Sequence, residues 1–279
     1  MNKTLDLLVN RASCRVFKNK KIPAGVLNKL LEAGVHAPTG GNLQPWSIIK
    51  IEKPAAKARL ARLCEDQKFM ASAPLNLVFC MDFHRLKRWA ALETAPFSAD
   101  AAVRPFWIAF QDTLICAQNI CTAADALGLG SVYIGPVFDR LTDIRKMCRL
   151  PKGVIPVVAV TLGYPAVRPA PRRRLGAAVV VHSEVYRSIP GKELLAAFEE
   201  KYKNSRTAVN AKDLKTIEKV CKAVHGVRFA GRCLAEIKAR GYINRAQLYF
   251  GLHYRADRML ASNTRMIKAL RAAGLTCFK

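Results

Sequence analysis

Arg11-Ala12-Ser13-Cys14-Arg15-Val16-Phe17 and Ala37-Pro38-Thr39-Gly40-Gly41-Asn42-Leu43-Gln44-Pro45-Trp46 decide how this chain folds and what it holds. In an extended segment alternate side chains share a face. Arg11, Ser13 and Arg15 therefore point the same way and offer two guanidinium forks and a hydroxyl to one phosphate. The second stretch is dense in the Pro, Gly and Asn of a tight turn and reads as a clamp for a planar ligand. Between the two, Pro23 followed by Val26, Leu27, Leu30 and Leu31 predicts a helix from near Pro23 to about Gly34, which folds both stretches back to one site. Arg11 or Arg15 alone reads better as part of a solvated basic face; the ensemble in this order does not.

Global composition narrows the partners without choosing one. The 279 residues carry 46 Lys and Arg against 20 Asp and Glu, a net charge of +26 that is spread along the chain. Such a field favours anionic partners: nucleotides, acidic proteins, nucleic acid or anionic lipid. A hydrophobic content of 51% is ample for a core. No run approaches the roughly 18 to 20 apolar residues of a spanning helix. The first residues carry Asp6 and only Leu7-Leu8-Val9 as an apolar core, so no signal peptide and a cytoplasmic location are expected. Nine cysteines, an odd number with no C-x-x-C pair, argue against a disulfide framework, a zinc ribbon or an iron-sulfur cluster. Cys80, Cys116 and Cys121 read as core filler, whereas cations around Cys14 are expected to lower its pKa. Cys221 and His225 stand at i, i+4, but nothing nearby completes a metal site and none is expected.

The remaining pattern predicts a short helix over 4–10 and strands over 46–51, 74–81 and 154–162. Further helices are predicted over 57–67, 106–127 and 140–150, with Leu127-Gly128-Leu129-Gly130 as the stop of the long one. Residues 84–106 have weak periodicity and read as a mobile surface loop. Ala177 to Val181 reads as a short apolar strand. Beyond it the chain is basic and helical. One apolar stripe runs through Leu214, Ile217, Val220, Cys221 and Val224, closed by His225-Gly226, and a second through Met259, Leu260, Ile267 and Leu270.

R-x-S-x-R-x-F followed after about twenty residues by A-P-T-G-G-N-x-Q-P-W resembles the FMN-dependent nitroreductase family, over roughly residues 3–187. The resemblance implies an α+β fold, a mixed central β-sheet flanked by helices in an intertwined homodimer, with 1–187 as the FMN-binding domain and 188–279 as an added basic helical extension. It implies that Arg11, Ser13 and Arg15, joined by Arg172 and Arg174 of the Arg172-Arg173-Arg174 run, hold the FMN phosphate. Pro38, Thr39, Gly40, Asn42 and Gln44 would line the ring across the dimer interface. Gln67, ahead of Phe69 and Ala73-Pro74, would approach the pyrimidine edge. Ile134 and Gly135, after L-G-L-G-S, would bring main chain close to flavin N5, where Gly135 permits close approach. Residues 84–106 would form a lid or substrate-facing segment, and the strand at 177–181 would join the partner's sheet.

In that family the flavin carries the chemistry, so no catalytic side-chain constellation is expected and none is visible. The implied function is an FMN-dependent oxidoreductase, passing hydride from NAD(P)H, or electrons from an acidic donor protein, to a small acceptor such as a nitroaromatic or quinone in a ping-pong cycle. Residues 190–279 are expected to pack as helices and narrow access to the flavin; the rival is a binding module tethered by the polar 201–211 segment. A different class, a basic nucleic-acid-binding or scaffold protein using the C-terminal helices, accounts for the charge but for neither clamp.

Overall fold

A computed structural model describes residues 2–203 and 205–278. The chain forms two compact units, one of residues 1–171 with 266–279 and one of residues 172–265. The sequence boundary expected near residue 187 and the division after Pro171 are thus different statements, and the last fourteen residues return to the first unit.

The first unit opens with α1 (Lys3–Asn10), capped by the Asn2 side chain accepting from the Thr4 N–H, and α2 (Ala24–Val35), entered through Pro23. Then come β1 (Trp46–Ile51), α3 (Pro54–Leu63), α4 (Lys68–Ser72), β2 (Leu75–Asp82) and α5 (Phe83–Leu92). The 24-residue α6 (Val103–Ala126) leads into β3 (Gly130–Ile134), α7 (Pro136–Asp139), α8 (Leu141–Cys148) and β4 (Val154–Gly163). The four strands form one sheet in the order β1-β2-β4-β3, with every ladder antiparallel.

The sheet is covered on both faces, because alternate residues of β2 enter different cores. Leu75, Leu77, Phe79 and Met81 pack with α2 and α6 residues such as Leu30, Cys116 and Ile120; Val78 and Cys80 pack with Leu60, Met70 and Ile144 on the other side. Along β4 this alternation slips once. The register shifts between Phe79↔Val158 and Cys80↔Pro156, so Val157 is the extra residue of a bulge and both Val157 and Val158 serve one core. The bulge also accommodates Pro156 within an interior strand. Leu270, Ala273 and Leu275 join the same core as Leu30 and Phe79.

The second unit contains α9 (Ala177–Val180), α10 (Gly191–Lys201), β5 (Thr207–Ala208), α11 (Ala211–His225), α12 (Val227–Arg240), β6 (Tyr242–Ile243) and α13 (Arg245–Gln247). A π-helical turn over Leu248–His253 and α14 (Ala256–Met259) follow; α15 (Asn263–Ala272) leads back to the first unit. Of the expected stripe, Leu214, Ile217, Val220 and Cys221 form the packed face of α11, while Val224 is exposed in the last turn before Gly226 at φ 83. The 201–211 segment contributes β5, which pairs with β6.

Four local expectations are corrected. The expected strand 177–181 is instead a helical turn, Ala177–Val180, mostly exposed: Ala-Ala-Val-Val has β-branched residues but no ladder to join among the described residues. The mixed character expected of the sheet is likewise corrected: among the described residues each strand pairing is antiparallel. The predicted 57–67 helix starts at Pro54 and stops at Leu63, since Glu65 and Asp66 adopt left-handed φ of 63 and 53. The weakly periodic 84–106 stretch, expected as a loop, opens within a ten-residue helix, α5, whose first turn is capped by Asp82 accepting from the Arg85 N–H at 2.9 Å.

Candidate functional site

The loop after α2 is built around a buried acid. Asp112 lies on the inner face of α6 between Ala109 and Cys116 and is 5% exposed. Its Oδ2 accepts from the Thr39 hydroxyl at 2.8 Å and the Gly40 N–H at 3.0 Å, and the Thr39 Oγ1 in turn accepts from the Gln44 N–H at 3.1 Å. The far end is held by Arg85, whose guanidinium donates to the carbonyls of Gln44 and Trp46, the latter at 2.8 Å. So fixed, the loop takes three left-handed residues within four positions: Gly41 at φ 60, Asn42 at 56 and Gln44 at 47. Two are not glycine, a strain of the kind that persists only where surrounding contacts impose it and that concentrates at ligand sites.

The result is a cleft of about 520 Å³ lined by Val35, His36, Ala37, Pro38, Thr39, Asn42 and Gln44. Four of the five residues expected to line a planar ring are here. Gly40 is beside it with its N–H turned to Asp112. Gln44 contributes to the wall while its amide donates to the Val35 carbonyl at 3.0 Å. Asp112 and Arg85 escaped the sequence analysis; the one available signal was an acid in the middle of the otherwise apolar face of a long helix.

The residues expected to form an anion clamp lie elsewhere in the unit. Residues 14–18 run beside β3 and the end of β4: the Cys14 N–H donates to Ser131, Lys18 to Tyr164, and Ala166 to Val16. Arg11 and Ser13 are half-buried and Arg15 is exposed. None of the three lines the cleft. Cys14 is buried, and its expected low pKa is corrected: burial pushes the thiol up, outweighing the Val16 contact and the Arg168 and Arg15 charges.

Of the other expected site residues, Ile134 ends β3 buried, and Gly135 is the N-cap residue just before α7, at φ −69 and ψ −39. A Cβ built on Gly135 meets no atom within 4 Å, so this backbone is open on one side. Its ordinary φ shows that glycine is not needed for conformation here; what its missing side chain leaves is space. Gln67 is half-buried and donates to the Cys64 carbonyl at 3.0 Å. Arg172 and Arg174 are exposed at the start of the second unit, and the arginine between them pairs with Glu200. No group of three or more His, Cys, Asp or Glu suited to a metal occurs among the described residues.

The strained loop walling a cleft and the open backbone at Gly135 suit a planar ligand. The family model described as the nitroreductase family matches residues 8–164. An oxygen-insensitive NADPH nitroreductase of Salmonella typhimurium is 33% identical over 200 residues, 72% of this chain and 81% of its own length. A Staphylococcus epidermidis NADPH-dependent oxidoreductase is 28% identical over 262 residues, 86% of this chain and 98% of its own, so likeness extends into the second unit. A solved NADPH:FMN oxidoreductase from Vibrio harveyi, complexed with NAD+, superimposes with a TM-score of 0.67 at 28% identity, over 71% of this chain and 84% of its own. None of these likenesses supports the nucleic-acid-binding alternative. No helix among the described residues is long and apolar enough to cross a membrane.

Proposed function

This chain belongs to the nitroreductase family, and from that premise we propose that it is an FMN-dependent NAD(P)H oxidoreductase acting on small acceptors such as nitroaromatics or quinones. The observation that carries the proposal is the Pro38–Gln44 wall, pinned to buried Asp112 and strained into a fixed shape. FMN, when bound, would supply the redox chemistry of hydride transfer between NAD(P)H and a small acceptor. The chain's own work is binding and orientation. Pro38, Thr39, Asn42 and Gln44 wall the ring, Gly40 sets the loop, and Ile134 with Gly135 bring main chain toward the ring. Gln67 contacts the ring edge. Arg11, Ser13, Arg15, Arg172 and Arg174 carry the phosphate through charge-assisted hydrogen bonds.

The site is completed by a second copy. The wall and the Arg11–Arg15 clamp do not meet in one cleft of the chain, and α1 buries none of its residues, leaving Leu5, Leu8 and Val9 exposed. On α6, Val103, Trp107 and Ile115 are exposed as well. An intertwined homodimer that covers these side chains also brings one copy's clamp to the other's wall. The division of labour between an FMN-binding domain, 1–187, and a basic extension, 188–279, belongs to the same proposal. The nine free thiols fit a reducing, cytoplasmic setting, and the +26 charge fits an acidic electron-donor protein as an alternative reductant.

The visible spectrum of purified full-length protein tests the cofactor. A yellow protein that releases FMN on denaturation and bleaches with NADPH or NADH is expected; a colourless one that takes up no added FMN overturns the proposal. Sedimentation tests the assembly, a flavin-loaded monomer being the adverse result.

A further inference from the structure

The Arg11 guanidinium does not hang in solvent. It lies over the Tyr133 ring at 5.7 Å and donates to the Ser131 hydroxyl across a long 3.3 Å. Beside it, from the last turn of α6, stands Asp125, whose side chain is only 7% exposed. One carboxylate oxygen is 4.0 Å from Arg11 Nε and the other 3.6 Å from Arg168 Nη1. Arg168 is fixed in turn by donating to the Leu129 carbonyl at 3.2 Å. Neither Arg11 Nε nor Asp125 Oδ2 has a hydrogen-bond partner. Arg11 has five N–H donors and spends one of them.

A buried carboxylate next to an anion clamp is unfavourable in two ways. Burial disfavours its charged form, raising its pKa against the pull of Arg11 and Arg168. Its charge also repels an incoming phosphate. If balancing the arginines were its only task, a contact with hydrogen bonds would serve better than one at 4.0 Å with both facing atoms unpaired. Its placement accounts for the geometry. Asp125 is set on a helix whose neighbouring Cys121 and Ala124 are fully buried, so its position is rigid where the arginine arm is flexible.

We propose that Asp125 is a positioning residue of the anion clamp: its carboxylate, buttressed by Arg168, draws the buried Arg11 Nε side toward itself by charge, orders the guanidinium beside Ser131 and Tyr133, and leaves the terminal N–H donors that Ser131 does not take for the FMN phosphate. This rests on Arg11 being a phosphate ligand. The gain is preorganisation, because an arginine already ordered loses less freedom when the phosphate arrives.

Flavin-stripped full-length protein titrated with FMN and with riboflavin, which lacks the phosphate, separates the possibilities. Asp125→Asn should weaken FMN binding about tenfold, the size of one misplaced charged hydrogen bond, and leave riboflavin binding unchanged. A loss confined to FMN is not what general damage to the fold produces. If Asp125 merely repels the phosphate, Asp125→Asn binds FMN as tightly as the parent or tighter, and the inference is wrong. Arg11→Ala reports on the premise: equal FMN affinity there removes Arg11 from the site, whereas a loss there with none in Asp125→Asn overturns only the positioning role. Should Asp125→Asn fail to fold, Arg168→Gln, which removes the buttress from an exposed side chain, should weaken FMN about threefold with riboflavin unchanged. An unchanged FMN to riboflavin ratio in that variant also overturns the inference.

Discussion

Thr39 donates its hydroxyl hydrogen to the Asp112 carboxylate at 2.8 Å, joining positions 73 residues apart in sequence, and the same hydroxyl oxygen accepts from the Gln44 N–H. One small side chain thus ties the loop to α6 and its own two ends together. Thr39→Val keeps the shape and removes both bonds, leaving a buried carboxylate oxygen and a backbone N–H without that partner. The expected loss is about 1–3 kcal/mol of stability by urea unfolding, with weaker FMN retention, while Thr39→Ser retains most of both. Equal unfolding midpoints for the Val and Ser variants would mean that the hydroxyl is not what sets the loop.

Asn42 is held at φ 56 and exposed at the cleft, which separates stability from binding at a single residue. Glycine takes this backbone without penalty, so Asn42→Gly should keep or raise the melting temperature while weakening flavin binding through the lost side chain. Asn42→Val, β-branched in a left-handed conformation, should lower both. If Asn42→Gly binds FMN as well as the parent, the Asn42 side chain does not contact the ring.

Much of this architecture is legible in the chain because burial writes itself into composition. β2 is apolar on both faces and reads as a continuous run, and α11 shows its inner stripe at helical spacing. The loop after α2 is legible because Pro, Gly and Asn at that spacing announce a tight turn. β3 was not found, since Gly-Ser-Val-Tyr-Ile is five residues long and follows directly on the glycines that stop α6. Ala177–Val180 misled for the opposite reason: local β-preference says nothing about whether a partner strand is present. Asp112 and Asp125 were missed because a carboxylate inside a helix carries no mark of what approaches it from distant sequence. Cys14 was misjudged because neighbours in sequence announce charge but not burial, and burial dominates its thiol.

Buried thiols also give the protein an alkaline limit. Burial pushes Cys64 from 9.0 up to about 12, with the Glu65 charge acting in the same direction. A folded-state pKa above the unfolded value contributes stability that is fully present below pH 9 and is lost as pH rises toward 12. Urea unfolding midpoints should therefore fall across that window, and fall less steeply in Cys64→Ala, whatever packing the substitution removes at neutral pH. At pH 8 iodoacetamide should label native Cys64 and Cys14 far more slowly than the unfolded chain. Parallel slopes for parent and Cys64→Ala would assign the alkaline loss to other groups.

Gly135 offers the most direct probe of where main chain meets the ring. Its φ of −69 suits any residue, and a Cβ there meets nothing within 4 Å, so substitution neither strains the backbone nor collides with the fold. Gly135→Ala should change stability by no more than about 1 kcal/mol, with the sign set by reduced freedom of the unfolded chain. A ligand lying against this backbone would meet the new methyl directly, and Gly135→Val would intrude further. The expected pattern is unchanged unfolding midpoints with FMN affinity falling stepwise from Gly to Ala to Val, measured by fluorescence quenching on flavin-stripped protein. Since the fold itself leaves that space empty, FMN binding that stayed constant through the series would show that the flavin does not approach Gly135.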